Sequence, residues 1–285
     1  MSTTNLKSIL KKDSRLAPGY IVLLIWLLFS IVVIGWIFAA SFSTTREIFT
    51  NTLFKSGIHI ENYWNVLVNQ NFARYFINSL IYTCTASTGI ILISAPAAYV
   101  IGRMEFPGRK LLINTFLVTM SIPLVMIVIP LYAMAVSLKL IGSSMFPIII
   151  LYIVANVPFT TYFLTGFFST LPKELEDAAL IDGCSPYRAF WRIMFPLAQP
   201  GIITVGIFNF LNIWNEYFMA LIFANKAEFR TLAVGLRAAL ESMRYVGDWA
   251  GLFAAVIIVF LPTFILYILL SQKIIAGITG GAIKG

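Results

Sequence analysis

The sequence predicts an all-α polytopic membrane protein, with six transmembrane helices and a two-helix loop on the cytoplasmic side. Three observations carry this. Hydrophobic residues make up 59% of the chain and charged residues 11%, against about 25% charged in a soluble domain, so lipid is the expected solvent. Six charge-free runs, 16–45, 75–102, 111–138, 140–172, 193–215 and 249–272, each exceed the roughly 20 residues a helix needs to cross a bilayer. Between the fourth and fifth runs lies the longest polar, charged segment, 171–201, with the local grammar of two short helices joined by a bend.

Spans are expected near 18–41, 76–101, 111–135, 145–168, 200–223 and 250–272. The first ends on Ala39-Ala40-Ser41, which resembles a signal-peptide cleavage site. Its apolar core is far longer than the 7–15 residues of such a signal, so an uncleaved span is expected. Six spans put both termini on one face. The tail residues Lys7, Lys11, Lys12 and Arg15 and the turn residues Arg103, Arg109 and Lys110 argue that this face is cytoplasmic. The segment 42–74 carries Ile60, Tyr63, Trp64 and Leu67 at helical spacing, as a helix lying on the outer membrane surface would. In 223–248, Leu232, Leu236, Ala239, Leu240 and Met243 share one face of a short helix. Six prolines, Pro96, Pro123, Pro130, Pro147, Pro158 and Pro262, fall within the spans and are expected to kink them.

In the polar segment, Pro172 suits a first helical turn, and Glu174, Glu176 and Asp177 place negative charge near the positive end of that helix. Gly183 is a left-handed stop, Ser185 an N-cap and Pro186 a first helical residue. Tyr187, Phe190, Trp191 and Met194 then recur on one face, away from Arg188 and Arg192. With Asp177, Ala178, Ala179, Gly183, Ile193 and Pro196, this stretch resembles the cytoplasmic Glu-Ala-Ala loop of bacterial ABC importer permeases. That pattern is Glu-Ala-Ala, three residues, Gly, nine residues, Ile, one residue, Leu-Pro; Asp177 and Phe195 depart from it but keep charge and apolarity. The flanking residues, and the C-terminal stretch ending Gly281-Ala282-Ile283-Lys284-Gly285, are similar to the carbohydrate branch and its maltose-type second permease subunit.

The resemblance implies a single ABC transporter transmembrane domain over 1–285, in a bacterial inner membrane, with a coupling loop at 171–199. Glu176, Asp177, Ala178, Ala179, Gly183, Tyr187, Phe190, Ile193 and Pro196 would engage an ATPase, and the tail residues Ala282, Ile283, Lys284 and Gly285 would reach it too. It also implies a second homologous permease subunit, an ATPase dimer that binds the ATP and magnesium, and an extracytoplasmic solute-binding protein. No cofactor, metal or nucleic acid is expected on this chain itself. Replacing Gly183 by Asp is expected to foul the bend, add an unpaired charge and uncouple hydrolysis from transport.

Glu216 is the only charged residue within an expected span, and a charge there costs at least about 2.5 kcal/mol unless it meets a cavity, a partner or the interface. Asn209, Asn212 and Glu216 share a helix face beside Asn215. Such a stripe suits a hydroxyl-rich solute in a pathway, but equally a second chain or a snorkelling position. Asn156, just before Val157-Pro158, is a second intramembrane polar group at an expected kink, most simply a helix–helix hydrogen bond. His59 has no metal-ligand pattern around it, and Cys84 and Cys184 are expected in different compartments, without a disulfide. The net charge of +8 sits in short clusters between apolar runs, which membrane topology accounts for without nucleic acid. An ion-coupled transporter or channel is the competing reading. It usually needs intramembrane ionisable groups, broken helices or repeated halves, and the sequence offers one carboxylate and no visible repeat. A membrane enzyme would need a nucleophile–base grouping, and none is visible either.

Overall fold

A computed structural model describes residues 3–140, 145–224 and 226–282, which contain helices and turns and no strand. Four helices are long and apolar enough to cross a bilayer: Leu16–Ser41 within α1 (Thr3–Ser41), α4 (Phe72–Arg103), α7 (Phe146–Thr170), and Trp249–Gln272 within α14 (Trp249–Ala282). The third expected span is two helices, α5 (Arg109–Ser121) and α6 (Leu124–Ser137), bent by 97°. The cause is Pro123, which holds the preceding Ile122 extended at φ −84, ψ 118. Pro96, Pro130, Pro158 and Pro262 lie inside unbroken helices, and Pro147 opens α7.

The fifth expected span, 200–223, is also interrupted. α11 (Gln199–Trp214) ends short, and α12 (Phe218–Phe223) follows after a break at 215–217. At 1.5 Å per residue the sixteen residues of α11 cover about 24 Å, less than the hydrocarbon core. A second bend, of 74°, lies at Ala198, where the polar loop enters α11. Counting each bent pair as one crossing gives six among the described residues.

The described chain divides into two compact units. The first unit joins the chain up to Gln70 with 240–258. Along 16–38, α1 is exposed, and its end is held by Trp36 against Phe253 and by the Ser41 hydroxyl, 2.7 Å from the Tyr63 hydroxyl. α2 (Thr45–Thr50) starts with a reciprocal cap: Thr44 N–H donates to the Glu47 carboxylate and Glu47 N–H to the Thr44 hydroxyl. The expected surface helix is one turn, α3 (Glu61–Trp64), running into a π turn at Asn65–Asn69, with Ile60 and Trp64 exposed.

The second unit, 71–239 with the chain from 259, carries the two buried clusters. One gathers Tyr82, Ala86 and Ile90 of α4, Val128 of α6, Ile148 and Tyr152 of α7, Ile213 of α11 and Met219 of α12. The other gathers Ala95 and Tyr99 of α4, Leu164 and Phe168 of α7, and Ile202 and Val205 of α11 with the polar loop. Lipid is as apolar as these side chains, so close packing rather than escape from water holds the helices together. Small residues permit it. A Cβ on Gly102 would stand 3.0 Å from the Thr165 carbonyl, and one on Gly201 2.6 Å from the Phe167 ring. α13 (Leu232–Val246) begins in this unit with Leu232 and Val234 buried, and Leu240, which belongs to the first unit, is exposed.

Candidate functional site: the polar loop and the polar ladder

The loop at 171–199 folds as its sequence dictates. α8 (Glu174–Ile181) has Glu174, Glu176 and Asp177 in its first turn. Its end is closed by Cys184 N–H on the Ala179 carbonyl (2.9 Å) and Gly183 N–H on the Leu180 carbonyl (3.1 Å). This is the paired closure that needs a left-handed residue, and Gly183 supplies it at φ +77. Nothing lies within 4 Å of a Cβ built on Gly183, so a side chain there meets no neighbour within the chain. A side chain there is still strained, because the left-handed backbone angle, and not a clash within the chain, resists it. α9 (Pro186–Ala189) starts with the Ser185 hydroxyl accepting from Arg188 N–H, then passes through a π turn, Phe190–Met194, into α10 (Phe195–Leu197).

The loop has a held side and a free side. Phe190 and Met194 are buried, and the Phe190 ring lies 5.1 Å from that of Tyr99 and 6.1 Å from that of Phe168. Ala179 and Ala189 are buried beside them. Below, Arg103 at the end of α4 donates to Glu176 Oε2 (2.9 and 2.6 Å) and to the Leu171 carbonyl (2.9 Å). On the free side, Ile181 is 85% exposed and Tyr187 74%, with Asp177, Ala178, Gly183 and Pro196 also exposed. Of the expected coupling residues, then, Ala179 and Phe190 face inward and anchor the wedge. Glu176 and Ile193 are half-buried. The exposed Leu180 and Ile181 carry the apolar tip, which the family spacing did not single out.

The polar residues of the fifth span meet α7 rung by rung. Thr160 and Asn209 exchange hydrogen bonds (3.0 and 3.2 Å), Asn212 donates to Asn156 Oδ1 (2.7 Å), and the Tyr152 hydroxyl donates to Glu216 Oε2 (2.9 Å). Positions 152, 156 and 160 are spaced i, i+4, i+8, so they form one stripe facing the stripe of 209, 212 and 216. Glu216 sits at the break between α11 and α12. Its carboxylate also accepts from Met219 N–H (2.7 Å) and Ala220 N–H (3.0 Å), so it caps the helix that follows. Asn212 and Asn215 remain exposed, and Asn215 donates to the Leu211 carbonyl. Tyr152 and Thr160 were missed as ladder partners, although their spacing with Asn156 was available as a signal. Of the expected tail residues, Ala282 ends α14, and Ile283, Lys284 and Gly285 lie outside the described residues. His59 pairs with Ser56 and Glu61, and among the described residues no three of His, Cys, Asp and Glu come together as a metal would need. Cys84 and Cys184 are free thiols.

Comparison with known proteins places this geometry. The family described as the inner membrane component of binding-protein-dependent transport systems matches residues 89–276. The chain belongs to that family. It is 33% identical over 275 residues to the diacetylchitobiose uptake system permease protein NgcG of Streptomyces coelicolor, covering 95% of this chain and 90% of that protein. It is 31% identical over 269 residues to the trehalose transport system permease protein SugB of Mycobacterium tuberculosis, covering 91% and 97%. One chain in the crystal structure of a bacterial ABC transporter involved in the import of the acidic polysaccharide alginate superposes with a TM-score of 0.79 at 22% identity, over 92% of this chain and 97% of that one. That likeness shows the fold. This transport component is thus an integral membrane protein of a permease family.

Proposed function

We propose that this chain is the permease subunit of an ATP-driven ABC importer, forming half of the translocation pathway for a sugar or oligosaccharide. The observation that carries it is the wedge at 171–199. Its inner side is locked into α4, α7 and α11, and its apolar tip at Leu180, Ile181 and Tyr187 is left bare beside Asp177 and Gly183. A stiff element of this kind passes on a displacement, which a loose linker cannot. The tip suits a cleft in a separate ATPase dimer, which binds ATP and magnesium and performs the hydrolysis. The positive residues of the N-terminal tail and of the 103–110 turn support a cytoplasmic side of the inner membrane for the loop and both termini.

A second homologous permease subunit completes the pathway, and an extracytoplasmic binding protein delivers the solute to segments 42–74 and 223–248. Sugar relatives such as the diacetylchitobiose and trehalose permeases support a carbohydrate cargo. In the pathway, the exposed amides of Asn212 and Asn215 offer donors and acceptors to hydroxyls, while Asn156, Asn209 and Glu216 hold the wall behind them. Co-purification from the native membrane tests the reading. An ATPase and a second permease should come down with this chain, and uptake in proteoliposomes should require ATP. Solute uptake by this chain alone, driven by an ion gradient, would make it a secondary transporter instead.

A further inference from the structure

The longest buried helix of the second unit is gripped at both ends by loops far apart in sequence. At one end of α4, three side chains hold four main-chain groups, at 228, 229, 230 and 232, where the chain enters α13. Asn78 Nδ2 donates to the carbonyls of Glu228 (2.8 Å) and Arg230 (2.9 Å), and the Tyr82 hydroxyl donates to that of Phe229 (3.0 Å). Ser79 Oγ accepts from Leu232 N–H (2.8 Å). All three side chains are buried: Asn78 3%, Ser79 2% and Tyr82 1% exposed. At the other end, the Arg103 guanidinium takes the Leu171 carbonyl, the Pro172 carbonyl (3.4 Å) and the Glu176 carboxylate, with the pair's side chains 10% and 13% exposed. Asn78 and Arg103 are 25 positions apart, about 38 Å along a continuous helix. Between the grips α4 is packed on α7, with Gly89 against Ile153 and Gly102 against Thr165.

We infer that α4 is a connecting rod between the polar loop and the 227–232 segment, with Asn78 and Arg103 as the positioning residues at its two ends. The inference rests on the functional reading above and deepens it. α7 and α11 are joined to the wedge covalently; α4 is joined to it by the polar grip of Arg103 and by the packing of Tyr99 on Phe190. Both grips hold mostly main-chain atoms, so they fix the position of the loop backbones rather than read their side chains. A rigid helix with firm joints at both ends carries a displacement of the wedge to the segment at 227–232. With the Arg103 joint loosened the wedge slips against the rod, and with the Asn78 joint loosened the rod slips against the 227–232 segment, while the remaining contacts hold the fold.

The test uses the whole assembly, with both permease chains and the ATPase dimer, in a background of Cys84→Ala and Cys184→Ser. Glu228 is exposed, so Glu228→Cys reports on the segment through its rate of reaction with a maleimide. ATP with vanadate traps the ATPase, and the rate should change about tenfold between the nucleotide-free and trapped states, a typical coupling factor. Arg103→Lys keeps a cation beside Glu176 but cannot reach all its acceptors; Asn78→Ala and the milder Tyr82→Phe loosen the other end. Each should bring the ratio close to one while basal ATP hydrolysis and assembly persist. The double variant Asn78→Ala/Arg103→Lys should be no worse than either single change, because the two joints lie in series. A tenfold response that survives these changes overturns the rod, and so does a strictly additive loss. If no ATPase assembles with the wild-type chain, or vanadate does not trap it, the functional reading fails first and the rod with it.

Discussion

Glu216 separates a structural carboxylate from one that touches solute, and its replacement is informative in both directions. In Glu216→Ala, Met219 N–H and Ala220 N–H lose their cap, worth about 1 kcal/mol. The Tyr152 hydroxyl, on a residue 1% exposed, loses its acceptor, at about 1–3 kcal/mol. Together the chain should lose about 2–4 kcal/mol. Glu216→Gln keeps one acceptor oxygen and should lose about 1 kcal/mol. Tyr152→Phe removes one interhelical bond, worth about 0.6 kcal/mol in membrane proteins. Unfolding in detergent by heat or SDS gives the order, alanine first, and uptake in proteoliposomes is measured on the same preparations. In a cycle with Tyr152→Phe and Glu216→Gln, the two losses should add to more than the double variant shows, since they share one contact. The reasoning is refuted if Glu216→Ala unfolds like the wild type yet abolishes uptake, because the carboxylate would then act on the solute and not on the helix break.

Three further outcomes follow from the geometry. Gly201→Ala puts a Cβ into the Phe167 ring and should destabilise the chain by about 1–3 kcal/mol; a variant as stable as the wild type would show that the ring swings away freely. Gly183→Ala should cost about 1 kcal/mol through its left-handed angle, and Gly183→Asp somewhat less, since Asp tolerates that region better. If uptake nevertheless falls further with Asp, the added charge acts at the docking face and not inside the loop; equal uptake in the two variants would contradict this. In the first unit, the Glu47 carboxyl is pushed down to about 2, chiefly by Thr44 N–H and then by the Ser56 hydroxyl. A depressed folded-state value stabilises the loop above the ordinary carboxylate range, and that stability is lost as the pH falls from about 4.5 toward 2. Proteolysis of segment 42–74 should therefore rise over that window, and Glu47→Gln should flatten the pH dependence.

Much of the fold was legible because its signals are local. Gly183, Ser185 and Pro186 each fix their own neighbourhood, so the two helices of the wedge and its bend are written in a dozen residues. Pro123 broke the third span where Pro96, Pro130, Pro158 and Pro262 did not, a difference proline count alone does not carry. The break at 215–217 has no glycine or proline to announce it. It depends on Glu216 meeting both Tyr152, 64 residues earlier, and the N–H groups just ahead of it. The same distance hid Arg103, whose partner Glu176 lies 73 residues on, and the grip of Asn78 on main-chain carbonyls about 150 residues away. The family spacing marked the wedge but not its two sides: Phe190 and Tyr187 belong to one apolar stripe in the sequence, yet one is buried and the other bare.

The central claim is that the bare tip of this wedge receives motion from an ATP-hydrolysing partner. A photo-crosslinking residue at Ile181, the most exposed position on the tip at 85%, tests it most directly in native membranes. The account predicts an adduct with an ATPase subunit whose yield changes when ATP and vanadate are added. Adducts with lipid alone, unchanged by nucleotide, would contradict it.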